Sequence, residues 1–293
     1  MIPREMFNKI RPIKICTTRI VTELLAGACL RGALLVMLKP LNKLLAITAI
    51  LTLLATISLQ AVDTNAVFTA RENAIFAALT SKPANWEEFE KGTRALIKDF
   101  PDRPNGYEHS MLLVDHYSRS DSKRAIALAG ELDTDATPEK FRLWAKGVLN
   151  RMENIGKPVH IQFTAIDGRE VDAAKLRGKV VLVDFWASIC GPCVLEMPKI
   201  KSAYVNFHEK GFEVVGVSFD NQQRDLEKYI KKRALPWPQF FDGDSMVDGK
   251  FGRAFGISGI PRLMLIDKKG NLRFDDVNAE DLDKKIAELL AEQ

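Results

Sequence analysis

From Leu44 to Leu59 the chain runs for sixteen residues without a charge, LLAITAILTLLATISL, between the basic Lys39 and Lys43 and the polar stretch Gln60–Asp63. Basic, then apolar, then a small residue at Ala61 is the order of a secretory signal peptide cut after Ala61. A run of sixteen uncharged residues falls slightly short of a comfortable membrane span, which favours cleavage over an uncleaved anchor at 44–59. Met37 directly precedes this layout, so translation is expected to start there, with residues 1–36 an upstream extension. The stretch Leu24–Cys29 is a poor lipoprotein acylation box, since it lacks Leu three residues before Cys29.

Beyond this segment the hydrophobic period changes twice. Residues 64–155 place apolar positions at helical spacing, with breaks at Ser81-Lys82-Pro83, Phe100–Pro104 and Asp133–Pro138. The pattern predicts four or five antiparallel helices, among them Trp86–Asp99 and Tyr107–Tyr117. Thr137-Pro138 reads as an N-cap followed by a first-turn proline, starting a helix whose inward face carries Trp144, Val148 and Met152. Helix pairs recur at loosely thirty-odd residues, as in tetratricopeptide hairpins, but no repeat consensus accompanies them.

After Gly156-Lys157-Pro158 the pattern is that of strands. It predicts strands at Val159–Ala165, Val171–Leu176 and Val180–Phe185, a helix from Cys193 to about Lys210 interrupted by Pro198, and a strand Phe212–Phe219 ending in Asp220. Helix Arg224–Arg233, a strand at Gln239–Phe241, a short helix Gly249–Phe255, the hairpin Arg262–Ile266 with Leu272–Phe274, and helix Asp281–Ala291 follow. Strands alternating with helices argue an α/β domain with a central mixed β-sheet flanked by helices. The expected organisation is an N-terminal extension and signal sequence at 1–61, an all-α helical domain at 62–156 and the α/β domain at 157–293.

The formal charge of +4 belongs to the targeting segment: residues 1–61 hold eight Lys/Arg against two Glu, leaving 34 basic and 36 acidic residues beyond them. That near balance excludes a basic nucleic-acid surface. Export places the rest in an oxidising compartment, periplasmic or otherwise extracytoplasmic, where a lone Cys pair becomes a disulfide unless it is actively reduced.

Four cysteines occur, Cys16, Cys29, Cys190 and Cys193, and the first two lie in the segment read as removed. The sequence Trp186-Ala-Ser-Ile-Cys190-Gly-Pro-Cys193 follows a buried strand and opens a helix. A thiol at a helix N-terminus is favoured as thiolate by unpaired N–H groups and the macrodipole, which makes Cys190 the candidate nucleophile. Cys193, one turn in, is the candidate resolving thiol. The bland alternatives are weaker. Zinc needs further ligands, and His109, His116, His160 and His208 lack ligand spacing. A purely structural disulfide here would close too short a loop to stabilise much.

On these residues the chain resembles the thioredoxin-like superfamily: Asp184, Trp186, Cys190, Gly191, Pro192 and Cys193 fall on its active-site pattern. The continuation through Glu196 and Pro198, the signal sequence and Phe212–Asp220 resemble the exported TlpA/ResA-like branch, over residues 157–293. The resemblance implies that Gly259-Ile260-Pro261 is a cis-proline loop facing the dithiol, with Ile260 and Pro261 holding substrate, and that Trp186 packs beside the thiols on the substrate side. It also implies that Asp184, a lone charge in an apolar strand, takes the proton of Cys193 through water, and that Glu196 tunes the pair. Ile189 departs from thioredoxin, which carries Trp there, so thioredoxin's broad substrate range is not implied.

The implied activity is that of an exported thiol-disulfide oxidoreductase reducing protein disulfides, with no cofactor and no metal. Its partners are disulfide-containing proteins and an upstream membrane electron donor; membrane contact by the chain itself requires an uncleaved 44–59. Two readings compete: a peroxiredoxin-like thiol peroxidase, which lacks here the expected Pro before the nucleophile, and a partner-binding helical module carrying a redox-linked domain.

Overall fold

The computed structural model describes residue 50, residues 64–243 and residues 246–292. The proposed signal segment, its cut at Ala61, Met37, Cys16 and Cys29 lie outside the described residues. Among the described residues no helix is long and apolar enough to cross a membrane.

Five helices come first: α1 over 64–80, α2 Trp86–Asp99, α3 Pro104–Ser120, α4 Ser122–Leu132 and α5 Glu139–Glu153. Side chains start two of them. Asn85 accepts from the Glu88 N–H at 3.0 Å and Asp121 from the Arg124 N–H at 3.1 Å, each satisfying one of the orphan donors of a first turn. Helix α5 starts one residue later than its sequence suggests. Pro138 is extended (φ −53°, ψ 136°) and occupies the cap position itself, so Thr137 is no N-cap and its hydroxyl meets that of Thr134 at 3.1 Å. The predicted inward face holds, with Trp144, Val148 and Met152 buried among Phe89, Leu113, Leu128 and Phe141.

The second part is built on a five-stranded sheet of order β5-β4-β3-β6-β7, with β3 Val180–Trp186, β4 Phe212–Ser218, β5 Gln239–Phe241, β6 Arg262–Ile266 and β7 Leu272–Phe274. Strand β3 runs parallel to β4 and antiparallel to β6, so the sheet is mixed. All seven residues of β3 are buried, which is why its sequence, Asp184 apart, is apolar throughout rather than alternating. A small antiparallel pair, β1 Gln162–Thr164 and β2 Glu170–Asp172, lies outside this sheet. Both are shorter than the apolar runs suggest; the second run continues as a 3-10 turn at Ala173–Leu176, whose N–H at Ala174 is capped by Asp172 at 2.9 Å.

The sheet separates two cores. Leu182 and Trp186 share one with helices α6 (Gly191–Phe207) and α9 (Leu282–Ala291), through Met197, Ile200, Ile286 and Leu289. Val181, Val183 and Phe185 share the other with Phe163, Phe251 and Phe255, the last two on helix α8 (Lys250–Phe255). Helix α7 (Gln223–Arg233) completes the fold.

Residues 68–293 form one compact unit, in which α5 packs against α8 backbone to backbone. A Cβ added at Gly147 would lie 2.0 Å from the Arg253 carbonyl oxygen, and one at Gly256 (φ +59°) 2.3 Å from the Val148 nitrogen. No side chain fits between the helices. Gly147→Ala is therefore expected to cost about 3 kcal/mol by overpacking, whereas Gly130→Ala, where a Cβ meets nothing within 4 Å, is expected to gain about 0.5–1 kcal/mol. Urea unfolding of the two variants measures both; equal effects would refute the close-packing account.

Candidate active site

The site forms where β3 ends. Trp186 is the last strand residue, Cys190 is the N-cap of α6, and Pro192 sits in its first turn, where a missing N–H costs nothing. Cys190 and Cys193 are joined as a disulfide across a Cα–Cα distance of 5.3 Å. The Cys190 sulfur also accepts from the Cys193 N–H at 3.2 Å, so the helix amide that would stabilise a thiolate is already aimed at it. Cys193 is 2% exposed, while Cys190 is only partly covered. An incoming disulfide can reach the first sulfur but not the second.

The approach to Cys190 is anchored by a residue that the sequence reading passed over. Asp220, fully buried just beyond β4, accepts from the Ser188 N–H at 3.0 Å and the Ser188 hydroxyl at 2.6 Å. Ser218 donates to its other oxygen at 2.8 Å. The available signal was the register: β4 lies parallel to β3 with Ser218 opposite Trp186, so an Asp two residues on must lie beside the loop carrying the cysteines.

Trp186 is fully buried in the same core cluster as Cys193, and its indole N–H donates to Gln239 Oε1 at 3.0 Å. It therefore forms part of the floor beneath the thiols. Strand alternation points it inward: 182, 184 and 186 face the side covered by α6. Two exposed apolar residues, Ile189 at 65% and Leu195 at 78%, lie on either side of Cys190 in sequence.

The Ile260-Pro261 peptide bond is cis, and the Ile260 carbonyl oxygen lies 3.8 Å from the Cys190 sulfur. The structure thus brings the Cys pair and the Ile260-Pro261 loop together from seventy residues apart.

Asp184 is 1% exposed, and its Oδ2 finds no hydrogen-bond partner in the protein. Burial, reinforced by the charge of Glu196, pushes its pKa up to about 8. Glu196, half-buried one turn beyond Cys193, is also raised, by burial and then by Asp276. Among the described residues no group of three His, Cys, Asp or Glu side chains could hold a metal ion.

Residues 154–290 match the family model described as Redoxin. They form a thioredoxin-like domain that is similar to the TlpA/ResA branch. Its curated relatives include "Thiol-disulfide oxidoreductase ResA" of Bacillus thuringiensis subsp. konkukian, 27% identical over 43% of this chain and 70% of the relative. The protein of the same name from Geobacillus thermodenitrificans is 31% identical over 37% of this chain and 60% of the relative. A crystal structure of the thioredoxin domain of a thiol-disulfide oxidoreductase from Bacteroides vulgatus is 29% identical, covering 45% of this chain and 94% of that one, with a TM-score of 0.41. The domain is of the thiol-disulfide oxidoreductase type and holds the Cys190–Cys193 disulfide.

Asp184 gives this domain a titration that can be measured as stability. Its folded pKa lies above the unfolded value, so between about pH 4 and pH 8 the folded state holds a proton that the unfolded chain has lost. Stability from this group is full below that window and falls as pH rises through it, by up to about 1.4 kcal/mol per pH unit. Asp184→Asn removes the loss. Its melting temperature relative to wild type should therefore rise from pH 4 to pH 8; a pH-independent difference would show that Asp184 is not protonated in the folded state.

Proposed function

We propose that the protein is an exported reductase of protein disulfides. The observation that carries this reading is the asymmetry of the Cys pair: an accessible Cys190 at a helix N-terminus and a buried Cys193 on the strand face that holds Asp184. In the reduced protein the Cys190 thiolate attacks a substrate disulfide and expels one substrate thiolate, leaving a mixed disulfide. Cys193 then gives its proton through water to Asp184 in its ionised form and attacks Cys190, releasing the second substrate sulfur as a thiolate and closing the enzyme disulfide. A carboxylate with a pKa of about 8 is well matched to a thiol of ordinary pKa about 8.5, so this proton transfer is nearly level in energy.

Two electrons must return from elsewhere, and a membrane reductant on the outer side of the cytoplasmic membrane is the proposed donor. The signal segment supports periplasmic or other extracytoplasmic placement. The exposed Ile189 and Leu195 support a substrate surface that is apolar around the nucleophile. Pro261 and Ile260 are the proposed substrate-holding residues, Glu196 the tuning carboxylate, and 62–156 the proposed helical domain.

Gly-Pro between the cysteines supports a potential nearer the thioredoxin end of the scale, about −270 mV, than the about −120 mV of strong oxidants. Equilibration with glutathione should confirm this, and a value above about −180 mV would overturn the reducing direction. Insulin reduction should vanish in Cys190→Ser, while Cys193→Ser should accumulate substrates as mixed disulfides at Cys190. Retained activity in the first variant would sink the mechanism.

A further inference from the structure

The segment Gly259–Arg262 that covers Cys190 is bound at Arg262 and closely approached at Gly259 by one carboxylate of the helical region. Arg262, the first residue of β6, is 1% exposed. Its Nη2 donates to Asp115 Oδ1 at 2.6 Å and to the Ser118 hydroxyl at 3.2 Å, both on α3, and its Nη1 reaches Asp275 Oδ1 at 3.4 Å. At the other end, Gly259 lies so near Asp115 that an added Cβ would be 3.2 Å from the same carboxylate. Between these two points, the Ile260 carbonyl faces the Cys190 sulfur at 3.8 Å.

We propose that Asp115 and Arg262 are positioning residues for the redox pair: through them the helical region sets how closely the Ile260 carbonyl approaches Cys190, and so the balance between dithiol and disulfide. A carbonyl oxygen carries the negative end of its dipole, and held against the sulfur it disfavours the thiolate. The α6 amides act the other way. The loop position decides the sum. If the hold is loosened, the carbonyl withdraws, the thiolate gains, and the reduced form is favoured, which makes the pair more oxidising. The other charges of the cluster are linked to the same two residues: Arg119 meets Asp276 at 3.0 Å and Asp115 at 3.7 Å, and Arg151 pairs with Asp275. The proposal rests on dithiol exchange by Cys190 and Cys193 but not on its physiological direction.

The test is the equilibrium of the purified protein with glutathione, in which the enzyme disulfide and two thiols of glutathione exchange for the enzyme dithiol and one glutathione disulfide. Trapping by alkylation and weighing the products gives the constant. Asp115→Asn removes the carboxylate charge; Arg262→Lys keeps the charge but loses the forked contact. Both, with wild-type circular dichroism, are expected to shift the constant at least threefold toward the dithiol. Wild-type constants in both overturn the proposal. A shift in Asp115→Asn alone also overturns it, since that would be a charge effect without positioning. If Arg262→Lys fails to fold, Asp115→Glu, which keeps the charge and displaces the carboxylate, takes its place with the same expectations. A wild-type protein that does not exchange with glutathione at all would instead remove the oxidoreductase reading itself.

Discussion

Two arginines with almost no contact with water, Arg151 and Arg262, constrain how this chain can be assembled. A guanidinium taken from solvent is costly unless its donors are satisfied, and breaking such a pair strands a charge at about 3–5 kcal/mol. Here the satisfying groups come from distant stretches. Arg151 donates to the Phe255 carbonyl at 2.6 Å and pairs with Asp275, which Arg262 also reaches, while Arg262 binds Asp115. The cluster is complete only when α3, α5, the end of α8, the start of β6 and the residue after β7 are all in place. The glycine contact between α5 and α8 closes the same seam, so packing and charge demand one and the same arrangement.

The molecule contains two aspartates of similar burial and opposite behaviour. Burial would raise Asp275, but Arg151 and Arg262 outweigh it and hold its carboxyl below the usual range. Asp184 has no such cation; burial raises it, and Glu196 adds to the effect. A paired carboxylate is a fixed anion that joins elements, whereas an unpaired one is a proton store. The difference lies in partners rather than depth, and it separates the part of the interior that holds structure from the part suited to moving protons.

What the sequence revealed follows from how local each signal is. Cys190, Cys193 and Asp184 stand within ten residues of one another on a strand and the helix after it, so period and capping were enough to place them. The helix face of Trp144, Val148 and Met152 was legible for the same reason. Arg262 read only as the opening of a strand, because its partner Asp115 lies 147 residues away. Asp220 and Gln239 were hidden likewise, since their importance rests on strand register. Trp186 was placed beside the thiols, and strand alternation turns its side chain into the core. The short β1 and β2 and the extended Pro138 show where apolar runs and cap preferences yield to tertiary pairing.

The order of elements along the chain has a consequence for biosynthesis. The helices of 64–153 are local and can form as the chain emerges, and the Cys pair follows them directly. The carbonyl that covers Cys190 comes seventy residues later. At synthesis rates of about 5–20 residues per second, the two thiols are made several seconds before the loop that will face them. During that interval the nascent chain would present both sulfurs without that cover, open to whatever oxidant or thiol it meets first.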